Sequence, residues 1–91
     1  MCDVTSPTEM AASMTSARTA FGSFDIAVAN AGAAASKPFG KLTTEDLTAM
    51  LQVNVLGVFH TFQAVMPDML SSGWGRLITI ASTAGLEGYG Y

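Results

Sequence analysis

Four short features of the sequence carry groups that could bind or transform a ligand: Asp3-Val4, Asn30-Ala31-Gly32, Asn54 and Ser82. The Asp3 carboxylate is an acceptor on a short stem, able either to reach a ligand or to fold back toward Thr5 or Ser6 and help cap a helix. Asn30-Ala31-Gly32 is a turn of small residues that lets a ligand approach the backbone, with Gly32 free to take a positive φ; a generic tight turn has the same composition. Asn54 interrupts an apolar stripe between Leu51 and Val58. An amide in that position must be hydrogen-bonded or cost about 1 to 3 kcal/mol, so it serves either a site or a backbone partner across the core. Ser82 closes an apolar run and precedes Thr83-Ala84-Gly85. Its hydroxyl should stand at the mouth of a sheet, facing a substrate or capping the strand end, and Thr83 is less suited by register. Metal chemistry finds no support, because the single Cys2 has no Cys or His neighbour at ligand spacing. His60 reads as an ordinary helix-flank histidine, the six methionines as core, and Lys37 and Lys41 as loop cations.

Apolar spacing supplies the elements that must hold these groups. Ser6-Pro7-Thr8-Glu9 combines a capping hydroxyl, a proline at the first helical position and a glutamate three residues after the cap, which marks a helix start. Met10, Met14, Ala17 and Phe21 then recur at helical spacing until Gly22, so a helix is expected over residues 7–21. Residues 25–29 form a short apolar run that reads as a strand buried on both faces, followed by a loop to Lys41. Thr43 and Asp46 open a second capping signal, and a stripe from Leu47 through Val55, Phe62 and Val65 to Met69 predicts one long helix, or two in series, over residues 44–70. Gly57 within it costs about 1 kcal/mol relative to Ala, which points to close packing against another backbone. Pro67 should kink the helix or mark its last turns. A turn at residues 71–75, with Trp74 over the sheet end, leads to a second buried strand at 76–81. Strands separated by a helix run parallel through a right-handed crossover, which predicts a doubly wound α/β layout. Cys2-Asp3-Val4-Thr5 reads as the end of an earlier strand. All four polar features then fall at the carboxyl ends of strands, where open α/β sheets bind ligands.

With 91 residues and 9.4 kDa the chain is one small domain at most. Seven acidic against four basic residues, with no basic run, argue against a nucleic-acid partner. Charged residues make up 12% of the chain, about half the usual share of roughly 25%. So low a charge suggests that some faces pack against something outside these residues. No basic segment precedes an apolar stretch at the N-terminus and no run of about 18 apolar residues occurs, so neither a leader nor a membrane span is expected. A lone cysteine suits a cytoplasmic setting.

Asp3-Val4, Asn30-Ala31-Gly32, Asn54-Val55 and Ile80-Ala81-Ser82-Thr83-Ala84-Gly85, in that order, resemble the middle of the short-chain dehydrogenase/reductase family, whose members are NAD(P)-dependent Rossmann-fold oxidoreductases. The resemblance covers nearly the whole chain, with Ala29 standing where an asparagine is often found. It implies a partial Rossmann-like, doubly wound parallel sheet with about two strands and two or three helices. Residues 1–91 would be the central part of an NAD(P)-binding domain, without the Gly-rich unit and without the Tyr-x-x-x-Lys helix. Asp3 and Val4 would hold adenine, and Asn30, Ala31 and Gly32 would lie against the cofactor ribose. The Asn54 carbonyl would hold a relay water, and Ser82 would be the catalytic serine. The family's tyrosine lies about thirteen residues after that serine, so Tyr89 and Tyr91, seven and nine residues on, are not matched to it. The cofactor would be NAD or NADP, with the choice left open, and the substrate a small-molecule carbonyl or alcohol. The full-length form would be a homo-oligomer. Two readings stay open for the chain itself: a hydride-transferring oxidoreductase whose 91 residues are inactive alone, or a non-catalytic remnant that docks on a homologous subunit.

Overall fold

A computed structural model of the chain describes residues 2–34, 36–82 and 86. Helix α1 runs over Pro7–Phe21, strand β1 over Ile26–Ala29, helix α2 over Thr44–Leu51, helix α3 over Gly57–Ser72 and strand β2 over Arg76–Thr79. Each start and stop has a local cause. The Ser6 hydroxyl accepts the Glu9 N–H, Pro7 occupies the first turn, and Gly22 ends α1 at φ 90°. Thr43 and Asp46 form a reciprocal capping box at the head of α2. Gly73, at φ 74°, takes the left-handed conformation that closes α3. Pro67 does not end that helix, which continues to Ser72.

Strands β1 and β2 pair in parallel with Ile26 opposite Arg76 and Ala29 opposite Thr79. An Ile80 N–H to Ala29 carbonyl bond of 3.1 Å carries the ladder one step further. The long crossover between them contains a 3-10 turn at Phe39–Lys41, within what reads in the sequence as plain loop. Helices α1 and α3 cover one sheet face, where Ala27 packs with Val65 and Met69, flanked by Met14, Phe24 and Phe62. Arg18 and Asp68 fasten this layer. The guanidinium Nε donates to both Asp68 oxygens at 3.0 Å, and Asp68 Oδ2 also accepts the Phe24 N–H at 2.9 Å, at the approach to β1. Those bonds hold the Asp68 carboxyl below the usual carboxylate range.

The strands are not buried on both faces. Ile26, Val28, Ile78 and Ile80 each stay 42–55% exposed, because no element of the described residues lies on their side. Cys2–Thr5 makes no ladder with β1 and instead forms a turn leading into α1. By length and composition the helical run Thr44–Ser72 is apolar enough to cross a membrane. In this fold its Val65 and Met69 are the core against β1.

Candidate functional site

Small residues at the ends of both strands open a cleft. A space of about 540 Å³ lies between Asn30, Gly32, Asn54, Val58 and Ser82. A second hollow of about 230 Å³ adjoins it and is lined by Val4, Met10, Asn30, Ala31 and Gly57. Because Ala29, Asn30, Ala31 and Val58 border both, the two make one path along the carboxyl edge of the sheet, from Val4 at one end to Ser82 at the other. Of the site residues expected from the sequence, Val4, Asn30, Ala31, Gly32, Asn54 and Ser82 line this path, while Asp3 is not among its lining residues and adjoins it only as the chain neighbour of Val4. Thr83, Tyr89 and Tyr91 lie outside the described residues.

Asn54 sits in a π-helical turn, Gln52–Leu56, which joins α2 to α3. Such a turn adds a residue between helical bonds, and is found frequently at functional sites. The amide neither faces the core nor lacks partners. Its Nδ2 donates to the Ala33 carbonyl at 2.7 Å and its Oδ1 accepts the Ala33 N–H at 3.0 Å. This two-point clamp fixes the turn after β1. Gly32 is close enough that a Cβ would meet Asn54 Oδ1 at 3.3 Å. Its φ is not positive, so close approach, rather than a left-handed backbone, is what calls for glycine there.

Asp3 follows the capping alternative on one oxygen. The Thr5 hydroxyl and N–H donate to Oδ1 at 2.7 and 2.9 Å, holding the carboxyl below its ordinary range and keeping it an ionised acceptor. Among the described residues no hydrogen bond uses Asp3 Oδ2 or the Val4 N–H. Both remain able to meet a ligand. Gly57 has a reason other than a neighbouring backbone: a Cβ there would lie 2.7 Å from Val4 Cγ2. His60, passed over in the sequence, places Nδ1 3.1 Å from the Val4 carbonyl oxygen. Its spacing from Gly57 is the signal that could have found it, since residues three apart share a helix face.

The loop after β1 has a second tether. Lys37 Nζ lies 2.8 Å from Asp46 Oδ2, the same oxygen that accepts the Thr43 N–H. With Lys37 as the largest cause, the Asp46 carboxyl is pulled down to about 2. Ser82 borders the cleft three residues beyond the last residue of β2.

Comparison with known proteins agrees with this layout. A family model described as short chain dehydrogenase matches residues 1–91. D-beta-hydroxybutyrate dehydrogenase of Rhizobium meliloti (strain 1021) is 38% identical over 84 residues, 92% of this chain and 33% of that protein. The crystal structure of an NAD+-bound xylitol dehydrogenase superposes with a TM-score of 0.88 at 35% identity, covering 97% of this chain and 34% of the other. A gluconate 5-dehydrogenase from Burkholderia cenocepacia J2315, in complex with NADP and tartrate, gives a TM-score of 0.87 at 31% identity over 96% of this chain and 34% of its own. The chain spans about a third of the length of the curated relatives it matches. Over that third it folds as expected, as part of a Rossmann-like parallel α/β sheet.

Proposed function

Because the chain belongs to the short-chain dehydrogenase/reductase family, we propose that its 91 residues are the central part of a domain that transfers hydride between NAD or NADP and a small carbonyl or alcohol. The observation that carries this reading is the continuous path from Val4 to Ser82. Its donors and acceptors fit a dinucleotide. An ionised carboxylate and a backbone N–H at one end suit the amino group and ring nitrogen of adenine. The small residues Ala31 and Gly32 beside Asn30 suit a ribose, and a hydroxyl at the other end suits the reacting oxygen of a substrate.

When bound, the nicotinamide would give or accept the hydride. Ser82 would hydrogen-bond the substrate oxygen and stabilise charge as it develops there, acting by electrostatics and not as a nucleophile. Asn54 would hold the turn after β1 through Ala33 with its side chain, while its own carbonyl, within the π turn, would hold a relay water. Asp3 and Val4 would anchor adenine, and Asn30, Ala31 and Gly32 would bring the backbone against ribose. In the family the general acid of this chemistry, a tyrosine with a nearby lysine, stands about thirteen residues after the serine, a position past Tyr91. On this reading, turnover needs that pair in addition to the 91 residues. A cytoplasmic setting and homo-oligomeric assembly of the full-length form belong to the same reading. The bare face formed by Ile26, Val28, Ile78 and Ile80 also favours a second reading, a non-catalytic chain docked on a homologous subunit.

The test is the native gene product, weighed intact and assayed with NADH and NADPH against a panel of carbonyls. A product about three times the 9.4 kDa of this chain, whose turnover falls by more than about 100-fold on Ser82→Ala, is the expected result. A 9.4 kDa product without turnover would favour the docking reading.

A further inference from the structure

We propose that Gly57 and His60 are positioning residues for adenine recognition, gripping Val4 by its side chain and its carbonyl so that the Val4 N–H and the Asp3 carboxylate face the cleft. The inference rests on the adenine assignment made above and adds to it the part of the fold that aims those groups. Segment 2–5 belongs to no strand, so no ladder sets its position. Its internal bonds, from Thr5 to Asp3 Oδ1 and from the Ser6 N–H to the Asp3 carbonyl at 3.1 Å, shape the turn but do not place it on the sheet. Placement comes from α3. Gly57 is buried and leaves the notch that Val4 Cγ2 fills, where even a methyl group would be 2.7 Å away. One turn on, His60 Nδ1 meets the Val4 carbonyl at 3.1 Å across 56 residues of sequence. A carbonyl oxygen has no proton to give, so Nδ1 is the donor and carries hydrogen.

Two contacts on one residue restrict it more than either alone. The side-chain notch fixes where the Val4 Cα sits, and the carbonyl bond fixes rotation about it. Together they fix the position of the Val4 nitrogen, and the Ser6 N–H bond to the Asp3 carbonyl then sets the plane of the peptide that carries the Val4 N–H. Gly57 and Val4 line the same hollow as Asn30 and Ala31. The grip therefore acts at the adenine end of the path and leaves Ser82 untouched.

The experiment measures binding of 5′-AMP and of nicotinamide mononucleotide to the chain and to His60→Leu and His60→Asn, with the thermal midpoint of each recorded. Leucine fills the ring's place without a donor, while asparagine presents Nδ2 near the position of Nδ1. The expected result is that His60→Leu weakens 5′-AMP by about five- to tenfold, leaves nicotinamide mononucleotide unchanged, and is rescued by His60→Asn. Unchanged 5′-AMP binding in His60→Leu would overturn the grip and leave the adenine assignment standing, as would equal loss of both ligands without rescue. Failure of the unaltered chain to bind 5′-AMP would overturn the assignment and the grip together. If His60→Leu does not fold, the imidazole nitrogen spectrum of the unaltered chain decides: Nδ1–H is expected, and a Nε2–H tautomer would contradict the proposal.

Discussion

Asn54 is the residue at which chemistry and structure are hardest to separate, because one amide uses both its donor and its acceptor on the same residue, Ala33. Asn54→Asp keeps the acceptor for the Ala33 N–H and removes the donor, setting a carboxylate against the Ala33 carbonyl. We expect this variant to lose about 1 kcal/mol of stability and to speed hydrogen exchange at the Ala33 amide, while Val65 in the core keeps its protection; unchanged exchange at Ala33 would contradict the clamp. The sequence made Asn54 conspicuous as a polar residue on an apolar stripe, and also placed Ser82 and the turn at Asn30. It did not reveal the partner of Asn54, which lies 21 residues away, nor that of His60, which lies 56 away. Residue types advertise an unmet need, but only the folded chain shows which distant backbone meets it. Gly32 makes the same point: the residue reads as a site of positive φ, yet the reason for glycine is the nearby Asn54 oxygen.

The elements themselves were largely legible. Ser6 with Glu9, Thr43 with Asp46, and Gly22 are local signals, and the helices begin or end at them. Nothing in the apolar stripe announces the π turn at Gln52–Leu56, since one inserted residue barely disturbs the spacing. The capping box of α2 also has a consequence in acid. Asp46 is pulled down to about 2, first by Lys37 and then by Thr43, against an ordinary value of about 3.9. A lowered folded-state value means the contribution is complete above the ordinary value and is lost as pH falls through the folded one. Between about pH 4 and pH 2 the Thr43 amide and the Lys37 ammonium should therefore report a titration centred near 2, with the head of α2 fraying below it. A carboxyl resonance of Asp46 moving near 3.9 would contradict the tether. High salt should weaken the exposed Lys37 pair while sparing the hydrogen bonds to Thr43.

At the scale of the molecule, the chain is one layer of helices on one layer of sheet. Its extents are 47 × 26 × 17 Å and its radius of gyration is 15.7 Å, where a compact domain of this length has about 12 Å. The low charge content of the sequence has its counterpart in the bare face of Ile26, Val28, Ile78 and Ile80, whose composition is that of a buried face. The strands carry the apolar pattern of a sheet covered twice, but the described residues supply a cover only once. What the layer does provide is an edge on which the groups from Val4 to Ser82 stand in one path, the path proposed above to hold a nicotinamide dinucleotide. The most direct test is a titration of the isotope-labelled chain with NAD+ and NADP+, followed at backbone amides. Saturable shifts are expected at Val4, at Asn30 to Gly32 and at Ser82, with Trp74 at the opposite end of the sheet unmoved. Shifts absent from those residues at saturating nucleotide, or confined to the region of Trp74, would contradict that proposal.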